Sequence, residues 1–265
     1  MRMLLLSFLP ALMLVTSPPT AAHPSFELAE RALNGDLDTT EQLLAEHPDS
    51  DSVRIIAAQA RRAAGDDDRA LALLDDAMRQ GSRRALWTRV VHHIERHEWI
   101  EGYAWGRLAM LIEKHDRESE IDDDAWPLEW TWQFTQRAAR NLREAEFPEA
   151  DRRTEAVVGE WYARLAAEQD IGSVDAPVFV DRRAPVYPRD QAYSRETGWS
   201  SLMMTFASDG TVERVLPIVQ THQAFAKRAA AAMEHWAIEP SSMDPEDFDR
   251  FFTQTVEFSL ENCAC

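Results

Sequence analysis

The spacing of apolar residues changes once along this 265-residue chain. Up to about residue 170, apolar residues recur every three or four positions, which is the spacing of amphipathic helices. From Gly198 onward apolar and polar residues alternate, as they do in half-buried strands. The sequence therefore predicts a helical domain over residues 23–170, a linker over 171–184 that contains Gly and Pro, and a small α+β domain over 185–262.

The helical region contains a weak internal period. The segment from Ala32 to Asp36 (ALNGD) is followed thirty residues later by a similar segment from Arg62 to Asp66 (RAAGD), and a Leu-rich stretch follows each copy. In the second copy the glycine suits the left-handed end of one helix and the aspartate suits the start of the next. Residues 25 to about 112 resemble degenerate tetratricopeptide-type helix pairs, so the predicted fold class is an all-α helical repeat, with a generic helical bundle as the alternative. Stacked helix pairs usually present a groove to a protein or peptide.

The alternating region begins with a predicted hairpin. Its first strand starts at Gly198, and Asp209-Gly210 is a dipeptide typical of hairpin turns. The second strand runs from Val212 to about Val219. Pro217 lacks a backbone N–H, so this strand should lie at a sheet edge or bulge at the proline.

A helix and a last strand complete the predicted α+β domain. The helix covers residues 222–236, and the strand covers residues 251–260. The alternation predicts an inward set comprising Phe252, Val256, Phe258 and Leu260, and an outward set comprising Thr253, Thr255, Glu257 and Ser259, with Gln254 near a rim. The order is strand, strand, helix, strand, and one apolar helix covering one apolar sheet face makes a complete α+β unit that we expect to fold alone.

Residues from about 183 to 262 resemble the C-terminal domain of TonB, the periplasmic energy transducer for outer-membrane receptors. The residues that carry the resemblance are Tyr187 and Pro188 in the lead-in, Gly198, Asp209, Gly210, Phe225, Trp236, Ile238 and Pro240. The resemblance implies a sheet of two or three strands with one helix. It also implies that a short segment of a receptor binds by adding a strand to the sheet edge. On this chain the implied partner-binding edge is the last strand, with Thr253, Gln254, Thr255, Val256, Glu257, Phe258 and Ser259, next to Tyr187 and Pro188.

The chain departs from TonB in its N-terminal half. TonB has an N-terminal membrane helix that contacts an inner-membrane motor, followed by a long spacer rich in Pro and Lys. Here a short leader and a helical domain take their place, so force coupling across the periplasm is not supported. Gly198 is also followed by Trp199 and two serines rather than by alternating valines.

The first 22 residues have the pattern of a signal peptide. Arg2 precedes an apolar run over residues 3–15, which is shorter than the roughly 20 residues that span a bilayer. Ala22 ends a Thr-Ala-Ala site with the small residues that favour cleavage, so His23 is the predicted first residue of the exported protein. With the TonB resemblance, the predicted location is the periplasm of a Gram-negative bacterium. The alternative is an uncleaved anchor in the inner membrane.

The overall charge excludes one class of partner. Lys and Arg number 28 against 46 Asp and Glu, a formal net charge of −18. Such a chain repels phosphate backbones, so nucleic acid is not expected as a partner, and an anionic membrane surface is disfavoured for the same reason. The sequence contains no G-x-S-x-G, P-loop or Rossmann fingerprint, and we predict neither an enzyme nor a bound cofactor.

Three histidines and three tryptophans are candidate site residues. His93 and His97 have the i, i+4 spacing of a helical metal pair, and His92 precedes them. Ile94 stands where zinc peptidases carry a glutamate, so boundary positions on a packed helix are the preferred interpretation, without a metal. The tryptophans near Glu129 could bind a sugar or a cation, but helical spacing favours core positions. They are Trp126, Trp130 and Trp132.

The two cysteines form a Cys-Ala-Cys tail over residues 263–265. Cys263 and Cys265 could form a strained disulfide or bond to another chain in an oxidising compartment. They could also bind a metal as a pair of soft ligands, or oxidise without consequence.

Together these patterns predict a non-enzymatic periplasmic protein that binds receptor segments by strand addition. Its role would be that of an accessory energy transducer or an envelope adaptor in transmembrane transport. The alternative is a structural or homodimerising module, in which the groove of the helical repeat scaffolds another protein.

Overall fold

The computed structural model describes residues 25–118, 128–167, 177–243 and 250–259. The helices are α1 (Phe26–Leu33), α2 (Leu37–Glu46), α3 (Asp51–Ala63), α4 (Asp67–Arg79), α5 (Arg83–Glu95), α6 (Trp99–Glu118), α7 (Leu128–Asn141), α8 (Phe147–Ala166), α9 (Arg189–Ser194) and α10 (Gln223–Met233). The strands are β1 (Phe179–Asp181), β2 (Gly198–Phe206), β3 (Val212–Gln220), β4 (Ala237–Ile238) and β5 (Phe252–Phe258). Short 3-10 turns lie at Glu144–Glu146 and Pro240–Ser242. Within these ranges, no helix combines the length and apolar character needed to cross a membrane.

The N-terminal part is helical, as predicted. Successive helices from α1 to α6 pack on one another, and α1, α3, α5 and α7 also contact one another in series. The predicted turn at Gly65-Asp66 is confirmed, and Gly35-Asp36 of the first copy forms the same turn. Gly35 and Gly65 have φ of 94° and 80°, and the carboxylates of Asp36 and Asp66 cap α2 and α4 by accepting from backbone N–H groups at 3.0 and 3.3 Å.

Three antiparallel strands form the main sheet in the order β3-β2-β5. The register of β2 with β3 shifts between Ser201, opposite Val219, and Leu202, opposite Pro217, so Ile218 is the extra residue of a bulge. β3 is also an edge strand. Pro217 therefore occupies a strand that both lies at an edge and bulges, which confirms the prediction made from its missing N–H.

A second sheet of two short strands was not predicted. β1 pairs with β4, although its three residues lie inside the stretch predicted as a linker. The side chain of Phe179 explains the order of this segment, because its ring packs on those of Phe206 and Trp236, with centroids 6.2 and 5.4 Å away. A strand of three residues with one anchoring aromatic is too short for an alternating pattern to be recognised in the sequence.

The helix α10 covers one face of the main sheet. Phe225, Ala229 and Met233 from the helix, followed by Trp236, pack against the even-numbered side chains of β2. Those side chains are Leu202, Met204 and Phe206. The predicted inner face of the helix and the predicted inward position of Trp236, which is 3% exposed, are both confirmed.

The other face of the main sheet packs on the helices of the N-terminal region. Trp199 and Met203 from β2 belong to the same apolar core as Trp87 in α5 and Trp130 in α7. All nine residues of β2 are consequently buried, on both faces. The two regions that the sequence separates therefore share one core.

Alternate helices of the N-terminal region make these contacts. Arg214 of β3 forms an ion pair with Glu30 of α1, and its guanidinium lies 4.2 Å from the ring centroid of Phe26. The helix α3 contacts β3 directly, α5 contributes Trp87, and α7 contributes Trp130. The face formed by α1, α3, α5 and α7, here called the odd-helix face, is thus covered by the sheet.

Candidate functional site

Strand β5 is paired on one side only within the described parts of the chain. Its seven residues lie opposite Gly198 to Met204 of β2 in unbroken antiparallel register, and β5 ends the strand order β3-β2-β5. An edge strand presents backbone N–H and C=O groups on its open side. This side is the candidate site, and the outer edge of β5 is the name used for it below.

The hydrogen bonds of Trp199 show which residues of β5 face outward. Its N–H donates to Thr221 Oγ1 at 2.9 Å, and its C=O accepts from the Thr221 N–H at 3.0 Å. The odd-numbered residues of β2 therefore point towards β3, and the even-numbered ones towards β5, because backbone groups alternate along a strand. By the register, the even-numbered residues of β5 bond to β2. The N–H and C=O groups of Thr253, Thr255 and Glu257 then face the outer edge.

One outer-edge carbonyl is bonded by a neighbouring side chain. The amide Nε2 of Gln254 donates to the C=O of Thr255 at 2.9 Å. Gln254 was expected near a rim, and its side chain lies there as a local cover for the edge. A partner strand would compete with this single intrachain bond at Thr255.

The predicted outward side chains of β5 do not point to solvent. Thr253 Oγ1 lies 2.6 Å from Arg84 Nη1 in α5 and 3.1 Å from Ser52 Oγ in α3. Glu257 is half-buried and Ser259 is 7% exposed. The prediction is wrong because alternation identifies two faces but not what covers the second one, and here that cover is the odd-helix face.

A charged pair supports this contact. Arg84 Nη2 lies 2.8 Å from Asp51 Oδ1, and Ser82 Oγ donates to Asp51 Oδ2 at 2.9 Å. Burial raises the pKa of the Asp51 carboxyl, but the Arg84 guanidinium and the hydrogen bonds outweigh it, so this pKa lies below its usual value. Asp51 stays ionised and holds Arg84 in place against Thr253. Sequence reasoning missed Ser52, Asp51 and Arg84, since only the fold brings them near β5.

The inward side of β5 and the lead-in segment meet as the resemblance implies. Val256 is 7% exposed and Phe258 is 3% exposed, and both pack in the core under α10. The ring of Tyr187 packs edge-on against Phe258 and Phe225, with centroids 5.7 and 5.9 Å away, and its hydroxyl donates to the C=O of Glu196. Pro188 is buried and precedes α9. The lead-in therefore lies beside the C-terminal end of β5. Leu260 lies outside the described residues.

The glycine at the start of β2 is required by a close approach. A Cβ on Gly198 would lie 2.0 Å from Thr221 Oγ1 and 2.8 Å from the ring of Phe225. The strand thus approaches the start of α10 more closely than any side chain permits. Gly198 and Phe225, predicted as separate motif positions, contact each other.

The hairpin turn likewise contacts the segment after α10. Gly210 has φ of 84°, and a Cβ there would lie 2.3 Å from the C=O of Ile238 and 3.1 Å from Pro240. The N–H of Ile238 donates to the C=O of Gly210 at 2.9 Å. Hydrogen bonds from the backbone and hydroxyl of Thr211 lower the pKa of Asp209 and fix the turn. Gly210 and Pro240, predicted as separate motif positions, therefore contact each other as well.

The structure contradicts the predictions made for the histidine candidates. α5 ends at Glu95 and His97 lies in the following turn with φ of 59°, so the prediction that His93 and His97 share a helix is wrong. His92 and His93 are each 2% exposed, which makes them core residues rather than boundary residues.

Two of the tryptophan candidates lie within the described residues. The core position predicted for Trp130 is confirmed. The core position predicted for Trp132 is wrong, because it is 47% exposed. Trp126, Cys263 and Cys265 lie outside the described residues, as does the predicted signal peptide.

Comparison of the chain with protein-family models, with curated proteins and with solved structures finds no match.

Proposed function

We propose that this chain binds an extended segment of a partner protein by strand addition at the outer edge of β5. One observation carries the proposal: Thr253 and Thr255 direct backbone groups to a side of β5 that no described strand covers. Two residues with one donor and one acceptor each offer up to about four backbone hydrogen bonds to an added strand. No cofactor or catalytic group is needed for this activity.

The setting of the edge supports binding rather than aggregation. The outer carbonyl at Thr255 is covered by Gln254, and one end of the strand is flanked by the Tyr187 ring. These features limit non-specific pairing, as protected edges do. An added strand would have the Tyr187 side on one face and the α3 and α5 termini on the other, because Thr253 already contacts Ser52 and Arg84. Such walls select side chains while the backbone supplies affinity.

The resemblance to the TonB C-terminal domain supports a particular partner. We propose a segment of a TonB-dependent outer-membrane receptor, met in the periplasm, with this chain as an accessory transducer or adaptor. The alternative scaffold, in which the helical groove binds the partner, has less support. The odd-helix face is occupied by the chain's own sheet, and Trp199 is fully buried against it.

The decisive variants are at Thr255. Thr255→Pro removes an N–H that faces the outer edge and makes no ladder bond to β2, so an edge strand can accept it. Thr255→Val keeps the N–H and nearly the same shape. Isothermal titration against a panel of peptides, each copying the short segment of a receptor, should show that the unmodified protein binds. The affinity should fall by about tenfold or more in the proline variant and change by less than about threefold in the valine variant.

Two controls complete the test. Circular dichroism and thermal unfolding must show that the proline variant keeps the fold of the parent. If the folded proline variant binds as the parent does, the outer edge of β5 is not the site. If the parent binds no peptide of the panel, the receptor-segment proposal fails.

A further inference from the structure

Four metal-ligating side chains converge between helices α4, α5 and α6, away from β5. One ligand atom each from His92, His93 and Glu98 lies within 4.8 Å of the other two. Asp67, the first residue of α4, adds a carboxylate whose Oδ1 is 3.7 Å from His92 Nε2. The group joins the start of α4, the last turn of α5 and the residue just before α6.

Arg96 forms an ion pair with each of the two carboxylates, Asp67 and Glu98. Its guanidinium lies 2.6 Å from Asp67 Oδ2 and 2.9 Å from Glu98 Oε1. Each carboxylate therefore has its second oxygen on the side of the histidines: Glu98 Oε2 lies 2.7 Å from His93 Nδ1, and Asp67 Oδ1 faces His92. Outer partners that orient ligating carboxylates and histidines in this way are typical of metal sites.

Two of these atoms are buried without a hydrogen bond. Within the described parts of the chain, His92 Nε2 and Asp67 Oδ1, which face each other at 3.7 Å, have no hydrogen-bonding partner. The rings of His92 and His93 are each 2% exposed. Buried polar atoms left unsatisfied are uncommon and call for an ion or a water.

We infer that His92, His93 and Glu98, with Asp67 beside them, bind a divalent transition-metal ion such as Zn²⁺. Imidazole and carboxylate together suit zinc and its neighbours rather than Ca²⁺ or Mg²⁺, which prefer oxygen ligands alone. Zinc ligands lie about 2.0–2.2 Å from the ion, so a closure on the order of 1 Å brings this set to bonding distance. The ion would cross-link α4, α5 and α6 as a structural site, independently of any partner at β5.

The test uses the full exported chain with Cys263→Ser and Cys265→Ser, because the tail thiols would bind zinc themselves. Titration with ZnCl₂ should give one ion per chain, and zinc should raise the melting temperature above its value in chelator. Glu98→Gln should weaken binding by about tenfold or more. The matched control is Glu95→Gln, which removes the same charge from an exposed residue that pairs with Arg62, and it should leave the affinity unchanged.

A second measurement needs no variant in the site. Two-bond proton–nitrogen spectra of the histidine rings should show that zinc shifts the resonances of His92 and His93. No zinc binding by the parent, equal affinities for the two glutamine variants, or shifts confined to other histidines would each overturn the inference. Arg96, His93 and Glu98 would then form a closed polar network without a metal.

Discussion

The indole of Trp199 in the central strand packs edge-on against the indole of Trp130 in α7, with ring centroids 5.8 Å apart. Trp87 of α5 completes the group, at 6.4 Å from Trp199. This tryptophan cluster joins the sheet to the odd-helix face. The orientation of β5 depends on the same contact between the sheet and the helices.

Replacing Trp199 by alanine should destabilise the whole protein. A fully buried aromatic truncated to alanine typically costs about 3–5 kcal/mol. Trp132→Ala is the matched control, because Trp132 is 47% exposed and its loss should cost under about 1 kcal/mol. Urea unfolding of both variants measures the difference. Equal losses would contradict the assignment of Trp199 to the shared core.

The C-terminal fragment 177–265 should not behave as an independent domain. The sequence predicts that it folds alone, but without the helices it would expose an apolar sheet face. The apolar residues that this region contributes to the shared core are Trp199, Met203, Leu216, Ile218, Val219 and Phe251. We expect the fragment to bind a hydrophobic dye and to unfold without a sharp transition, unlike the full chain.

A variant of the same fragment provides the control. Trp199→Thr with Met203→Thr makes the uncovered face more polar while keeping strand-forming residues. Dye binding should fall in this variant. A sharp, dye-free unfolding transition in the unmodified fragment would restore the original expectation of autonomy.

Two glycines with the same backbone conformation should differ in their tolerance of alanine. Gly35 and Gly210 have φ of 94° and 84°, so alanine at either position is strained by roughly 1–2 kcal/mol. A Cβ at Gly35 meets nothing within 4 Å, whereas at Gly210 it would lie 2.3 Å from the C=O of Ile238. Gly210→Ala should therefore cost about 1 kcal/mol or more beyond Gly35→Ala. Denaturant midpoints decide this, and equal costs would show that the turn does not press on the segment after α10.

The Asp51–Arg84 pair should make the sheet–helix contact sensitive to acid. The folded pKa of Asp51 is depressed, so its contribution to stability is present above the unfolded value of 3.8 and is lost as the pH falls through the folded value. Asp51→Asn should be less stable than the parent at pH 7, by less than about 1 kcal/mol because the pair is partly exposed.

The difference in stability between Asp51→Asn and the parent should become smaller below about pH 4. Asp49→Asn, a neighbouring exposed site, should show no such narrowing. Melting temperatures of both variants and the parent between pH 3 and pH 7 measure the effect. A gap for Asp51→Asn that stays constant over this range would contradict the role given to the ion pair.

Local patterns predicted the features that local bonds create. The turns at Gly35 and Gly65 were readable because the glycine and the following aspartate complete their own hydrogen bonds within a few residues. Pro217 was readable for a similar reason, since a missing N–H restricts a strand wherever it lies. Trp236 was correctly predicted to be buried, although α10 ends at Met233 and the tryptophan lies beyond the predicted helix.

The site was predicted only in part. The identity of β5 as an edge strand followed from the resemblance and agrees with the strand order. The surroundings of its odd-numbered side chains were not predicted, because Thr253 contacts Ser52 and Arg84, which lie about 200 and 170 residues away along the chain. The pairing of β1 with β4 has the same origin in distant contacts. Apolar residues on both faces of β2, such as Trp199 on one face and Leu202 on the other, were a signal that a second layer covers the sheet.

The sequence by itself determined the helical character of the first part of the chain, its turns, the hairpin and the inner face of α10. Each of these depends on periodicity or on bonds between near neighbours, which a single chain segment contains in full. The tertiary structure alone decided that the sheet packs on the odd-helix face, that only one side of β5 pairs with a described strand, and that His92, His93, Glu98 and Asp67 converge. Those outcomes depend on which apolar faces cover one another, and burial is non-directional, so the pattern of one segment does not name its partner.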